Sequence, residues 1–88
     1  MKTVLIAVKD VKQGTFGAAL WFRTIEAAIR EFRHEAMNPD SMIGKYPEDH
    51  ELWYVGKFDQ ETGIVTVEIT GPLFLVSGVM AKGQESEK

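Results

Sequence analysis

The side chains whose types could support catalysis or metal binding are two histidines and an acidic cluster. His34 and His50 are the only histidines of the chain, and their spacing matches no zinc motif such as HExxH. Glu48, Asp49 and Glu51 could supply a pair of carboxylates, but Pro-Glu-Asp is also a common turn because aspartate accepts hydrogen bonds from nearby backbone amides. We therefore interpret the histidines as solvated or structural, favour a turn role for the acids, and predict no metal site.

Nucleophiles and phosphate-binding loops are likewise missing from the sequence. The chain contains no cysteine, which excludes disulfides, thiolate metal ligands and cysteine nucleophiles. Ser41 and Ser77 have no G-x-S-x-G context, and the glycines form neither a P-loop nor a dinucleotide-binding motif. We predict that the protein is not an enzyme and has no cofactor.

Aromatic residues are the better candidates for a functional surface. Those considered are Trp21, Phe22, Trp53, Tyr54 and Phe58. They are too many for one thin core unless both faces of a sheet are used, so one set should pack under a helix and leave Trp53 or Tyr54 on the opposite face. An exposed ring there can stack on unpaired bases, which is worth about 1–3 kcal/mol per base.

Basic residues near these rings could hold the phosphates of a bound strand. The predicted set is Lys9, Lys12, Arg23, Lys45 and Lys57. The alternative is that the rings are buried in a homodimer interface, where aromatic residues are also enriched. Composition alone favours this alternative over base stacking.

The composition is that of an ordinary globular protein. Hydrophobic residues make up 44% of the 88 residues and charged residues 26%, with a net charge of −3. A nucleic-acid-binding protein usually has a basic balance or a basic stripe, so this acidic balance counts against DNA binding. We predict one domain over residues 1–82 and a flexible tail over residues 83–88.

The N-terminus is not predicted to be a targeting segment. Its apolar stretch, Val4–Val8, is too short for the apolar region of a signal peptide and is closed by the charged Lys9 and Asp10. No apolar run approaches the roughly 20 residues that cross a bilayer. We expect a soluble, cytoplasmic protein with no membrane partner.

Periodicity predicts one main helix over Ile25–Met37. Thr24 is a suitable N-cap, and Glu26 lies in the first turn, where the helix dipole favours an acid. Asn38 followed by Pro39 ends the helix. The apolar stripe of the helix consists of Ile25, Ala28, Ile29, Phe32 and Ala36.

Alternation predicts strands on both sides of the helix. Residues 2–9 are apolar on both faces, which indicates a central strand. Glu51–Asp59 and Ile64–Thr70 form a hairpin in which Gly63 supplies the positive φ of the turn. Within the second hairpin strand, the residues expected to face inward are Val65, Val67 and Ile69.

The remaining segments complete the predicted fold. Asp10–Gly17 and Asp40–His50 are predicted loops, and Leu73–Ala81 fits either a further antiparallel strand or a helical turn. Because a hairpin cannot bury its own apolar face, the helix should pack on the sheet. The expected architecture is an α+β two-layer sandwich in which an antiparallel sheet of three to four strands carries one main helix, in β-α-β-β order.

Six short motifs follow one another in the order and spacing of a known family. They are V-K-D-V-K (Val8–Lys12), A-I-R-E-F (Ala28–Phe32), N-P-D-S (Asn38–Ser41), K-Y-P-E-D (Lys45–Asp49), E-L-W-Y-V-G-K-F-D (Glu51–Asp59) and T-G (Thr62–Gly63). Together they resemble the small nonstructural protein of gokushovirus-type microviruses, bacteriophages with circular single-stranded DNA genomes. The resemblance spans about residues 4–65 and fades beyond Ile64.

The resemblance implies a DNA-binding accessory protein that acts when replication shifts from duplex synthesis to the making of single-stranded genomes. The implied place of action is the cytoplasm of the bacterial host. We predict a homodimer that binds single-stranded DNA with little sequence preference. The alternative is an adaptor that docks on a phage or host replication protein without contacting DNA.

Overall fold

The computed structural model describes residues 2–68 and 70–86, and for residues 84–86 it describes the backbone alone. One sheet of six strands and three α-helices make up this part of the chain. The strands are β1 (Lys2–Asp10), β2 (Thr15–Phe16), β3 (Leu20–Phe22), β4 (His50–Asp59), β5 (Val65–Val67) and β6 (Leu73–Ser77). The helices are α1 (Ile25–Met37), α2 (Met42–Lys45) and α3 (Gly78–Ser86), and a 3₁₀ helix covers Pro47–Asp49.

The two long strands, β1 and β4, pair with each other at the centre of the sheet and are antiparallel. On its other side β1 pairs with β2 at one end and with β3 at the other. On its other side β4 pairs with β6 at one end and with β5 at the other. Each outer position is thus shared by two short strands, so six strands fill four positions. The predicted antiparallel sheet of three to four strands matches this arrangement roughly, and the predicted single helix is joined by two more.

Helix α1 confirms the predicted bounds and cap. The Thr24 side chain accepts a hydrogen bond from the backbone N–H of Ala27 at 3.0 Å, and so satisfies one of the N–H groups that a helix start leaves unpaired. The predicted apolar stripe packs on one face of the sheet. The buried cluster is Ile6, Ala28, Phe32, Ala36, Leu52, Tyr54, Val76 and Ala81.

Two segments predicted as loops contain regular structure. Within 10–17 the chain makes a tight turn and returns as β2, with Gly14 at a φ of 75°. Within 40–50 it forms α2 and the 3₁₀ helix. Ser41 caps α2 by accepting from the N–H of Gly44 at 2.9 Å, and its hydroxyl donates to the Glu35 carbonyl at 2.6 Å. These local capping bonds are the reason that a segment without apolar periodicity is ordered.

The second hairpin strand differs from its prediction. The turn is as predicted, with Gly63 at a φ of 76°, but β5 covers Val65–Val67 alone, and Ile69 lies outside the described residues. Val65 and Val67 were expected to face inward, yet they are 52% and 61% exposed. The prediction was wrong because alternation reveals that two side chains share a face without revealing which face a helix covers.

The segment Leu73–Ala81, which was predicted as either a strand or a helical turn, contains both. Leu73–Ser77 forms β6, and α3 follows directly and buries Ala81 against the core. Helix α3 extends to Ser86, so it includes residues that were predicted as a tail. The remaining tail residues, Glu87 and Lys88, lie outside the described part of the chain.

Gly78 permits the close approach that starts α3. A Cβ atom at this position would lie 2.4 Å from the carbonyl oxygen of Pro47 and 2.8 Å from its Cα. Both are backbone atoms of the 3₁₀ helix, so they cannot move aside as a flexible side chain could. Gly78 therefore fixes how α3 meets the segment that leads into β4.

We expect Gly78→Ala to lower the free energy of unfolding by about 1–3 kcal/mol, because the added methyl group must displace backbone. Gly83→Ala in the same helix is the matched control, since nothing lies within 4 Å of a Cβ there. The control should be neutral or stabilising by up to about 1 kcal/mol. Urea denaturation followed by circular dichroism measures both, and equal stability of the two variants would contradict the assignment.

Candidate nucleic-acid interface

The sheet has one face covered by α1 and an opposite face that no helix of the described residues covers. We call the second one the open face. Ile6, Leu52 and Tyr54 belong to the core beneath α1. Since side chains alternate along a strand, Ala7 and Trp53 project to the open face. The register supports this, because Ala7 lies opposite Trp53, and Ile6 opposite Tyr54.

Five aromatic rings lie on the open face and form what we call the aromatic platform. Each comes from a position whose register partner also faces outward: Phe16 pairs with Lys9, Trp21 with Leu5, Phe58 with Thr3, and Phe74 with Trp53. Three of the rings are substantially exposed, with Phe16 at 43%, Trp21 at 49% and Phe74 at 45%. An exposed apolar surface of this kind is a candidate interaction site.

Trp53 is the centre of the platform. Its ring centroid lies 5.7 Å from that of Phe16 and 5.8 Å from that of Phe74, with interplanar angles of 83° and 78°. These are edge-to-face contacts, which aromatic pairs prefer over a face-to-face sandwich. The indole N–H of Trp53 donates to the Glu51 carboxylate at 3.0 Å, so the ring is held in one orientation.

Lys9 is the basic residue that belongs to this row of rings. Its ammonium nitrogen lies 5.3 Å from the centroid of Trp53 and 5.5 Å from that of Phe16. Attraction between the ammonium group and the electron-rich ring faces holds the cation over the platform. A positive charge thus stands directly beside the edge-to-face rings of the platform.

The other end of the platform is a second pair of rings. Trp21 and Phe58 are 5.5 Å apart between centroids and tilted by 55°. They line a shallow hollow together with Thr3, Gln60 and Val65. The apolar surface continues from this pair onto β5, where Val67 is also exposed. The platform therefore runs along the length of β4, from Phe74 and Trp53 to Phe58.

The structure separates the predicted binding residues. Lys9 and Trp53 lie together on the open face. Tyr54 was predicted as an alternative stacking residue, but the structure corrects this, because Tyr54 faces α1 and is 5% exposed. It follows Trp53 directly in the strand, so its side chain must point to the opposite face of the sheet. Its ring cannot reach a base in this conformation.

The other predicted cations do not surround the platform. Arg23 and Lys57 line a hollow on the α1 side of the sheet, where Glu26 and Glu68 are also present. Lys12 is exposed in the turn between β1 and β2, and Lys45 is exposed at the end of α2. The sequence could not show that Lys9, and not these other cations, would lie beside the rings. The face of the sheet on which a side chain lies depends on how the strands pair.

Sequence reasoning omitted several platform residues from the predicted site. Phe16 and Phe74 were not considered, and Trp21 and Phe58 were considered without being assigned. Phe16 lies in a segment predicted as a loop, and Phe74 in the segment that fitted either a strand or a helix. Phe16 pairs with Lys9, and Phe74 pairs with Trp53, so the strand pairing places both rings in the site. This pairing follows from the order of strands in the sheet, which the sequence did not provide.

Other site chemistry is limited in the described residues. Within residues 2–68 and 70–83, no three side chains of His, Cys, Asp or Glu lie close enough together to hold a metal ion. None of the helices in that part of the chain has the length and apolar character that crossing a bilayer requires. The His50 ring bonds locally, with Nδ1 2.8 Å from the carbonyl oxygen of Tyr46, as expected of a structural residue.

Comparison with known proteins places this sequence in a family. The family model described as phage ORF5 protein matches residues 3–81. This chain belongs to the phage ORF5 protein family. A curated member, Protein ORF5 of Chlamydia phage 1, is 36% identical over 83 residues, with 81% of this chain and 86% of the relative covered. No solved structure matches the chain.

Membership confirms the part of the resemblance that concerns origin, a bacteriophage protein of the microvirus type. It also extends that resemblance, because the family match continues to residue 81 whereas the motifs faded beyond Ile64. The region matched by the phage ORF5 family model therefore includes β6 and the start of α3, up to the buried Ala81. The DNA-binding role stays a prediction.

Tyr54 provides a test of the covered face. Burial raises the pKa of its phenol above the ordinary value of 10.0, and the nearby Glu68 carboxylate raises it further. The folded state therefore disfavours the ionised phenol. This contribution to stability is fully present below pH 10.0 and is lost as the pH rises through the higher folded-state pKa.

We expect the free energy of unfolding to fall on going from about pH 9 to about pH 11, and to fall less in Tyr54→Phe. Tyr46→Phe is the matched control, since Tyr46 is 47% exposed and its replacement should leave the wild-type fall in place. Urea denaturation at both pH values measures the effect. The same pH dependence in Tyr54→Phe and in the wild type would show that the ring is not buried.

Proposed function

We propose that this phage protein is a non-enzymatic accessory protein that binds single-stranded DNA with little sequence preference. It acts in the cytoplasm of the bacterial host, in the switch from duplex replication to synthesis of single-stranded genomes. The observation that supports the proposal is the row in which the half-buried Trp53 lies between the exposed rings of Phe16 and Phe74, with the Lys9 ammonium group over it.

The geometry of the row suits unpaired bases. In each edge-to-face contact the edge of one ring covers part of the face of the other. The surface left for stacking is the exposed part of Phe16 and Phe74, which are 43% and 45% exposed, together with the half-buried ring of Trp53 between them. Every base has a π face, so stacking tolerates any sequence. Bases of a duplex are already stacked on each other and are inaccessible to such a surface, which predicts selectivity for single strands.

Charge on the open face predicts a modest dependence on salt. Lys9 can neutralise one phosphate next to Trp53, whereas Lys12 and Lys45 are exposed elsewhere. Each neutralised phosphate of a single strand contributes about −0.7 to the slope of log affinity against log salt. Stacking, rather than charge, should supply most of the affinity in a protein with a net charge of −3.

We expect Trp53→Ala to weaken binding of a fluorescein-labelled single-stranded oligothymidylate by about 1–3 kcal/mol, which is roughly five- to 150-fold. Trp53→Phe retains a ring and should lose less. Lys9→Gln should lower the salt slope by about 0.7. Fluorescence anisotropy at low and moderate salt measures all three, after circular dichroism has shown that each variant is folded.

Arg30→Gln is the control, since Arg30 is exposed on the solvent side of α1, away from the open face. It should bind as the wild type does. Absence of wild-type binding at both salt concentrations would overturn the proposal. Loss of binding in Arg30→Gln with full binding in Trp53→Ala would place the interface on the helix instead.

A second candidate is the adaptor that docks on a phage or host replication protein. It is favoured by the apolar character of the open face. The exposed residues there are Trp21, Phe74, Val65 and Val67. Of the basic residues predicted to bind phosphate, Lys9 is the one that lies beside the rings. Recovery of one replication protein from nuclease-treated extract of infected host, lost in Trp21→Ala and retained in Arg30→Gln, would support it. The two candidates are separated by whether a purified oligonucleotide binds.

A further inference from the structure

Strand β5 is a free edge of the sheet. Among the described residues it pairs with β4 on one side, and no strand lies on its other side. Ile64, Val65 and Val67 are 59%, 52% and 61% exposed. Natural edge strands are kept short or are protected by charged residues or proline, because unpaired backbone groups invite another strand. Strand β5 is three residues long, and from Ile64 to Val67 this edge has neither a charged residue nor a proline.

The register shows which backbone groups of β5 point away from β4. The N–H of Asp59 donates to the carbonyl of Ile64 at 2.9 Å, and Lys57 lies opposite Thr66. Backbone groups alternate in direction along a strand, so those of Thr66, two residues after Ile64, also point towards β4. The N–H and C=O groups of Val65 and Val67 therefore point away from the sheet.

We propose that β5 pairs with β5 of a second copy of this chain, antiparallel, about a two-fold axis that passes through Thr66. In this register Val65 lies opposite the partner's Val67, and Val67 opposite the partner's Val65. Both are hydrogen-bonded pairs, which exchange two backbone bonds each. The outward groups of the two strands are thereby satisfied.

Self-complementarity is the reason to expect a second copy rather than another chain. The outward groups are placed symmetrically on either side of Thr66, as a two-fold interface requires. Val65 and Val67 lie on the open face opposite Phe58 and Gly56, so valine meets valine there. Thr66 meets the partner's Thr66 on the other face, and cross-strand threonine pairs are favourable.

The charges next to β5 are compatible with this pairing. Glu68 follows the strand and falls opposite the partner's Ile64, not opposite its own copy. The dimer joins the two open faces edge to edge, with the valines between one Trp21–Phe58 pair and the other. The proposal concerns the edge of the sheet, apart from the Phe16–Trp53–Phe74 row that is proposed to bind DNA.

The test uses the position on the two-fold axis. Thr66→Glu places like charges opposite each other, as does Thr66→Lys, and each should raise the dimer dissociation constant by up to about fivefold at low salt. An equimolar mixture of the two variants places opposite charges together and should restore dimers to the wild-type level or beyond. Sedimentation velocity over a range of concentrations measures all three samples.

A second pair of variants removes the backbone bonds without adding charge. The N–H of Val67 points away from β4, so Val67→Pro deletes edge donors while the ladder to β4 keeps its own. It should raise the dissociation constant about tenfold or more, since two bonds are lost per dimer. Val67→Thr keeps the N–H and a β-branched side chain and should dimerise as the wild type does.

Three results would overturn the proposal. A wild-type chain that stays monomeric at the highest concentrations would do so. If Thr66→Glu, Thr66→Lys and Val67→Pro all dimerise as strongly as the wild type, the subunits meet elsewhere. Charged variants that fail to recover on mixing, although folded by circular dichroism, would show that Thr66 does not lie on the axis.

Discussion

The structure depends on the covering of one face of the sheet by α1. The helix places Ala28, Phe32 and Ala36 against Ile6 and Leu52, and burying a large apolar side chain is worth about 1.5–3 kcal/mol. Side chains alternate along β1 and β4, so the same packing that buries Tyr54 forces Trp53 to the other side. The open face is therefore a consequence of the core.

Short contacts at the ends of the helices hold this cover in place. Ser41 joins the end of α1 to the start of α2 through bonds to Glu35 and Gly44. The Lys82 ammonium group donates to the Gly44 carbonyl at 3.2 Å and connects α3 to α2. With Gly78 against Pro47, these contacts position α3 beside α1, and the helical layer stays on one side of the sheet.

The open face combines features of two kinds of interface. Its rings and its Lys9 resemble a stacking surface for single strands, while its valines at β5 resemble the centre of a subunit contact. These features lie in different places, since the Phe16–Trp53–Phe74 row is at the β6 end of β4 and the valines are at the edge formed by β5. The two proposals therefore assign a ligand and a partner copy to separate places on one face.

The sequence by itself determined those features that depend on near neighbours. The bounds and cap of α1, its apolar stripe, the central strand β1 and the turn at Gly63 follow from spacing, from side-chain bonds within a few residues, and from the positive φ that glycine tolerates. Only the tertiary structure decided which face each strand residue occupies. Val65 and Val67 alternate as well as any buried pair, yet α1 covers the other side, and Lys9 joins Trp53 because β1 pairs with β4 in one register among several that local patterns allow.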